Sequence, residues 1–179
     1  MRKVVLTFGL IAGAIISIFL IVAMAFWEQG VLTFDSSEFI GYASMIIALS
    51  MVFFGIKSYR DNYQNGVIKF LRGLQVGILI SLVASLMYAA VWEVYYQTNR
   101  EVRASFMDKY VDHCINKMKN EGASQAEVDQ KVKEMTDMKE MYKNPLIRFG
   151  MTLFEIFPVG VLITLISAAI LRRKEVLRE

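Results

Sequence analysis

The sequence predicts an all-α, polytopic membrane protein with four transmembrane helices and an extracytoplasmic two-helix hairpin. Apolar residues make up 55% of the 179 positions and the mean hydropathy is +0.42, which is too apolar for a soluble domain. Four apolar segments are long enough, at about 1.5 Å per helical residue, to cross a hydrocarbon core of about 30 Å. Between the third and fourth segments the sequence is charged and has helical periodicity.

The first span is predicted over 4–27. The motif Ala23-Met24-Ala25 resembles a signal-peptidase site, but the apolar run is longer than the roughly 7–15 residues typical of a signal peptide. We therefore expect the helix to be retained. Small residues recur at every fourth position of this span, namely Gly9, Gly13 and Ser17. They predict one helix face that another backbone can approach closely.

The second and third spans are predicted over 39–56 and 73–92. The preceding loop, 28–38, has no Lys or Arg, whereas the segment 57–72 between these two spans is basic. Because Lys and Arg concentrate on the cytoplasmic side of membrane proteins, we predict that 57–72 and both termini are cytoplasmic. The third span carries a small residue at every fourth position, Gly73, Gly77, Ser81, Ser85 and Ala89, which predicts a second close-packing face.

The segment 97–145 is predicted to insert an extracytoplasmic helical hairpin into a single membrane domain, 1–179. Apolar residues recur at helical spacing over 106–118, and the pattern stops at Gly122, a residue typical of helix C-termini. Ser124 and Glu127 have the spacing of a capping box, which predicts the start of a second amphipathic helix. The two apolar faces are expected to pack against each other.

The fourth span, 147–171, contains the candidate polar site. Glu155 is the only charge deep in an apolar run, and Arg148 and Thr152 are spaced to share its helix face. We expect this face to point into the bundle, because a carboxylate facing lipid is costly. Pro158 lacks a backbone donor, which predicts a kink beside Glu155. Two interpretations stay open: a protonatable or cation-binding site, or a structural acid that is neutral or paired with Arg148 or with the third span.

Several classes of function are excluded by what the sequence lacks. His113 is the only histidine and Cys114 the only cysteine, so neither a His/Cys metal cluster nor an intrachain disulfide can form. The sequence has no Gly-rich phosphate loop, nucleophile elbow or paired carboxylates, and we predict no enzymatic activity and no cofactor. A net charge of +3 without a continuous basic stripe argues against a nucleic-acid partner.

Three parts of the chain resemble one bacterial membrane family. They are Phe54-Gly55-Ile56-Lys57-Ser58-Tyr59-Arg60-Asp61, the pair Trp92-Glu93 at the end of the third span, and the block from Met141-Tyr142-Lys143-Asn144-Pro145 through Phe154-Glu155-Ile156-Phe157-Pro158-Val159-Gly160 to Leu171-Arg172-Arg173-Lys174. The sequence is similar to the family catalogued as domain of unknown function number 4199. The resemblance implies four spans, a bacterial cytoplasmic (inner) membrane and an extracytoplasmic insertion before the last span. It implies no activity and no catalytic residues.

Three functional hypotheses follow. The first is a non-enzymatic interaction protein or accessory subunit, whose partners are the lipid bilayer and another membrane protein or a second copy. The second is a small oligomeric transporter or channel that uses Glu155 and the Pro158 kink. The third is a copper-handling protein, because Met135, Met138 and Met141 are soft ligands suited to monovalent copper. Further candidate ligands are nearby in sequence, namely Met118, His113 and Cys114. The alternative is that these methionines fill the seam between the two helices, which is where the core of the hairpin must lie.

Overall fold

The protein is built from α-helices. A computed structural model describes residues 1–173, except for the side chain of Asp35. In chain order the helices are α1 (Arg2–Glu28), α2 (Phe34–Leu49), α3 (Met51–Tyr63), α4 (Phe70–Thr98), α5 (Arg100–Asn120), α6 (Gln125–Tyr142) and α7 (Pro145–Leu171). Lys174 and the C-terminus lie outside the described residues, so the predicted cytoplasmic position of that end stays a prediction.

The four predicted spans are confirmed within residues 1–173. Segments Arg2–Glu28, Ser36–Tyr63, Phe70–Thr98 and Pro145–Leu171 are each long and apolar enough to cross a membrane, and α2 and α3, separated by Ser50, form the second of them. The chain is therefore a multi-span helical membrane protein. Each helix extends beyond its predicted apolar run, because the run marks the hydrocarbon, whereas helical hydrogen bonding continues into polar sequence. In α3 the helix includes the basic sequence as far as Tyr63.

The helices form two compact units. Unit 1 comprises Met1–Ala90 and 152–173, and so contains α1, α2, α3 and most of α4 and α7. Unit 2 comprises Val91–Met151, which is the end of α4, the α5–α6 pair and the start of α7. The predicted insertion, 97–145, lies within unit 2. The core of unit 1 is made of aliphatic side chains, among them Ala12, Ile16, Leu49, Val52, Ile56, Val76, Ile80 and Ile156.

Small residues set the spacing between the helices of unit 1. A Cβ atom added to Gly13 would lie 2.8 Å from Met87 Sδ, and one added to Gly160 would lie 2.7 Å from Ser81 Cβ. Both separations are too short for a real Cβ. Gly9 approaches Val83 and Gly77 approaches Thr164 at similarly short separations. A Cβ added to Gly73 would lie 3.2 Å from Ala168 Cβ, which is tight. The small-residue face of α1 therefore packs against α4, and the small-residue face of α4 packs against α7.

The hydroxyl groups between α4 and α7 find partners inside unit 1, whereas the buried Ser17 Oγ of α1 has no hydrogen-bond partner among the described residues. Ser81 and Thr164 are fully buried, and their side-chain oxygens lie 3.3 Å apart between α4 and α7. Ser85 Oγ donates a hydrogen bond of 2.8 Å to the Ser81 carbonyl oxygen. Because hydrocarbon offers no alternative partner, these hydrogen bonds make the small polar residues compatible with a membrane interior. Large apolar side chains are instead exposed on the outside, for example Phe39 and Leu162.

The two-helix pair of unit 2 is also confirmed. The Asn99 side chain caps α5, and Gly122 follows the helix with a φ of 82°. The predicted capping box opens α6: the Ser124 backbone N–H donates to Glu127 Oε2 at 2.8 Å, and the Glu127 N–H donates to Ser124 Oγ at 3.5 Å. Helices α5 and α6 pack together, and the residues buried along them are Val102, Met107, Val128 and Met135. An ion pair between Asp108 and Lys139 also joins the two helices.

Replacing Gly77 with Ile tests the close packing of α4 on α7. A Cβ at Gly77 would meet Thr164 and would lie 2.9 Å from Ile56 Cδ1, so we expect a loss of about 1–3 kcal/mol from overpacking. The matched control is Gly41→Ile in α2, where no heavy atom from another part of the described chain lies within 4 Å of the added Cβ. Thermal unfolding in detergent should show a lower Tm for Gly77→Ile only. Equal shifts in the two variants would contradict the close-packing interpretation.

The capping box of α6 should weaken in acid. Hydrogen bonds from the Ser124 hydroxyl and backbone N–H lower the pKa of the Glu127 carboxyl below its usual value. Because the folded pKa lies below the unfolded one, this stabilisation is present above about pH 4.3 and is lost as the pH falls through the folded pKa. Protection of the first-turn amides of α6 against hydrogen exchange, corrected for intrinsic rates, should therefore decrease in acid. In Glu127→Gln the decrease in amide protection in acid should disappear. If the decrease persists, a group other than Glu127 causes it.

Candidate functional site

The Arg148 guanidinium is a buried polar group of unit 2 that is held by several hydrogen bonds. Arg148 lies in the first turns of α7, and its side chain is only 3% exposed. Its Nε donates to Glu93 Oε2 at 2.8 Å and its Nη2 donates to Glu93 Oε1 at 2.6 Å, which makes a two-pronged ion pair with the end of α4. Gln97, one turn after Glu93, donates to the same carboxylate at 2.9 Å.

Aromatic rings surround this ion pair. The Arg148 guanidinium carbon lies 4.1 Å from the centroid of the Tyr96 ring and 5.6 Å from that of Tyr142, at distances typical of cation–π contacts. Arg148 Nη1 also donates to the Tyr142 carbonyl oxygen at 2.8 Å. Trp92 Nε1 donates to the Tyr142 hydroxyl at 2.8 Å, and Phe106 packs edge-on against Trp92 with the ring centroids 5.1 Å apart. We call Glu93, Arg148 and these four rings the arginine cluster.

The hydrogen bonds of the Arg148 guanidinium are made inside unit 2, where all three of its nitrogens donate to acceptors. The two-pronged face of the guanidinium is therefore bonded to Glu93 and not to an external anion. Glu93 and Tyr96 precede α5, whereas Tyr142 and Arg148 follow most or all of α6. The arginine cluster therefore joins the two ends of the α5–α6 pair and fixes the base of the hairpin.

Glu155 does not point where the sequence predicted. Arg148 and Thr152 are buried, but Glu155 is exposed and makes no hydrogen bond or ion pair with the described residues. The prediction of one inward-facing surface is therefore wrong for Glu155. The buried side of α7 follows Ile156, Gly160 and Thr164, and a residue one position earlier lies about 100° away around the helix. Arg148 does have an acidic partner, which is Glu93.

Pro158 lies inside α7, which continues through it from Pro145 to Leu171. Like Glu155, three residues earlier, it is exposed. Proline has no N–H to donate to the carbonyl oxygen of Phe154, so that oxygen lacks its usual helical partner. A kink at Pro158 stays a prediction.

The methionines proposed as copper ligands differ in exposure. Met135 is 7% exposed and belongs to the buried residues of α6, whereas Met141 is 49% exposed and Met138 is intermediate. Within the described chain, no group of three or more His, Cys, Asp and Glu side chains could hold a metal ion. Methionine is not among those side chains, so the copper hypothesis stays a prediction.

The pairing of Glu93 with Arg148 was not predicted from the sequence. A signal was nonetheless present: Glu93 directly follows the third predicted span, and Arg148 is the second residue of the fourth. Successive spans run in opposite directions, so the end of one and the start of the next lie at the same membrane boundary. Two opposite charges at one boundary are candidates for an ion pair. Their pairing could not be deduced with certainty, because an acid at a span end is also satisfied by interfacial water.

The Glu93–Arg148 pair should be sensitive to removal of one partner. Arg148→Leu leaves a mostly buried carboxylate unpaired, and we expect a loss of about 3–5 kcal/mol in the stability of unit 2. The double variant Glu93→Leu/Arg148→Leu removes both charges and should recover most of that loss. Hydrogen exchange of α5 and α6 in detergent provides the measurement. An unchanged exchange pattern in Arg148→Leu would show that the ion pair does not hold the hairpin base.

Comparison with known proteins identifies the family but adds no activity. The family model described as "Protein of unknown function (DUF4199)" matches residues 7–173, nearly the whole chain. No curated protein and no solved structure matches the chain. The matched range includes the arginine cluster, Glu155 and Pro158. On this match, the chain belongs to the DUF4199 family.

Proposed function

We propose that the protein acts by interaction within the membrane, as a non-enzymatic subunit that associates with another membrane protein or with a second copy of itself. The observation that carries this proposal is the exposed Glu155 carboxyl in α7. An acidic side chain at the centre of a membrane helix costs about 2.5–3.5 kcal/mol on insertion scales. A partner that supplies a hydrogen-bond donor would offset that cost.

The depth of Glu155 supports a protein partner over interfacial water. Glu155 follows the first residue of α7, Pro145, by 10 positions and precedes the last, Leu171, by 16. At about 1.5 Å per residue it lies about 12 Å from Ile147, where the predicted apolar run begins, and about 24 Å from Leu171, where that run ends. A charged side chain near a helix end can extend its charged group into the headgroup region. Glu155 is too far from both ends of α7 for its carboxyl to reach that region.

The neighbours of Glu155 resemble an interface with one polar contact. Phe154 is 80% exposed, Leu162 60% and Ile166 61%, so apolar side chains flank the carboxyl along α7. In hydrocarbon such side chains gain nothing from association by themselves, whereas one hydrogen bond across the interface can select the partner and its register. A second protein that covers this surface would therefore be selected by its hydrogen bond to Glu155.

We further propose that the protein resides in the bacterial cytoplasmic membrane, with both termini and 57–72 in the cytoplasm and the α5–α6 hairpin outside. Exposed basic residues support this orientation: Arg2 and Lys3 at the start of α1, Lys57 in α3, and Lys69 and Arg72 beside the start of α4. The family resemblance also supports it. The hairpin then offers a soluble surface to a partner outside the cytoplasm.

A second candidate is a small oligomeric transporter or channel. Pro158 frees the carbonyl oxygen of Phe154, which places an unbonded acceptor on α7 next to the Glu155 position. Two oxygen groups of this kind suit a cation or a proton. The close contact of Gly160 with Ser81 leaves no room for water between α7 and α4 there, so a pathway would have to run between copies.

Native mass spectrometry in mild detergent, with Glu155→Leu compared with wild type, tests the first proposal. We expect a second copy or a stoichiometric membrane partner with wild type, and an association weakened about threefold to tenfold by loss of one hydrogen bond. The matched control is Glu134→Leu on the exposed side of α6. A wild-type protein that stays monomeric without a partner would contradict the proposal. Loss of pH-dependent flux in liposomes by Glu155→Gln would establish the transporter instead.

A further inference from the structure

An open groove of about 590 Å³ lies on unit 1, lined by α1 and α3. Its apolar part is formed by Phe8 of α1 and by Met51 and Phe54 of α3. Its polar part is formed by the last turns of α3, with Lys57, Ser58, Asp61 and Asn62. The lining residues of α3 recur at helical spacing, so one face of one helix changes from apolar to polar over about 15 Å.

The polar end of the groove carries a cation that is available to a ligand. Lys57 is exposed and forms no hydrogen bond with any residue that the structure describes. The acid beside it, Asp61, accepts a hydrogen bond of 2.7 Å from Arg60 Nε and also interacts electrostatically with Lys57, so one negative charge faces two positive ones. Asn62 Nδ2 donates to the Ser58 carbonyl oxygen at 3.0 Å. The unbalanced charge at this end is therefore positive.

The start of α1 adds to this positive charge. A Cβ at Gly55 in α3 would lie 3.2 Å from Phe8 Cβ, so the two helices touch at this level. Helices α1 and α3 run in opposite directions, and Arg2 and Lys3 are therefore displaced from Phe8 toward the polar end by about 8–9 Å. Both are exposed. Three exposed cations thus lie at the level of the polar end.

We propose that this groove binds one anionic phospholipid, with an acyl chain against Phe8, Met51 and Phe54 and the phosphate at Lys57. The apolar part lies within two of the candidate spans, at the depth of hydrocarbon, and the polar part lies where those spans end. An amphiphile with a negative head matches that order of chemistry, whereas a soluble anion would leave the apolar part uncovered. Basic sites between membrane helices recognise anionic headgroups in this way. The proposal is independent of Glu155.

Lipid titration followed by native mass spectrometry tests the site. The full-length protein in detergent is titrated with phosphatidylglycerol and, separately, with phosphatidylcholine of the same chains. We expect one retained phosphatidylglycerol per chain, at about fivefold higher affinity than phosphatidylcholine. Lys57→Gln should weaken phosphatidylglycerol retention about fivefold. The matched control, Lys69→Gln, removes another exposed charge that does not line the groove and should have no effect.

A second variant tests the apolar part of the groove. Met51→Trp fills part of the volume between Phe8 and Phe54 without changing charge, and it should reduce the number of phosphatidylglycerol molecules retained. Circular dichroism of each variant confirms that the helices are intact. The proposal is overturned by equal affinity for the two lipids, by equal losses in Lys57→Gln and Lys69→Gln, or by full retention in Met51→Trp. Retention of a protein in place of lipid would likewise overturn it.

Discussion

Hydrocarbon offers no water to a polar group, and the structure depends on this constraint throughout. Backbone amides are satisfied in helices, and the buried Ser81, Ser85 and Thr164 hydroxyls are satisfied by each other or by a carbonyl oxygen. In unit 2 the same requirement produces the arginine cluster, where Glu93 and the Tyr142 carbonyl accept from Arg148. A polar group that is not satisfied in this way, such as Glu155, is therefore informative.

The same solvent explains why glycine and serine determine the packing of unit 1. Lipid tails are as apolar as leucine, so burying leucine between two membrane helices gives little net gain. Association depends instead on close contact, and Gly13 beside Met87 and Gly160 beside Ser81 allow it. Helix α4 makes such contacts with both α1 and α7. Large side chains such as Phe39 and Leu162 are left to cover the outer surface.

The sequence was sufficient for features that depend on local patterns. Span length and apolar composition predicted the four spans, and the Ser124–Glu127 spacing predicted the start of α6, because each is a property of neighbouring residues. The partner of Arg148 was missed because it depends on a contact 55 positions away in the chain. The groove at Lys57 was missed for the same reason, since Phe8 comes from a different helix.

The error at Glu155 has a different origin. A membrane carboxylate must face inward only if all its partners belong to the same chain. Glu93 meets that condition, because Arg148 neutralises it within unit 2 and the bond serves the hairpin base. Glu155 does not meet it, since the buried side of α7 follows Ile156 and Gly160, where packing against α4 admits only small or aliphatic residues. A hydrogen-bond donor from outside the chain would offset the cost of its exposure, which is why we propose a protein partner at that surface.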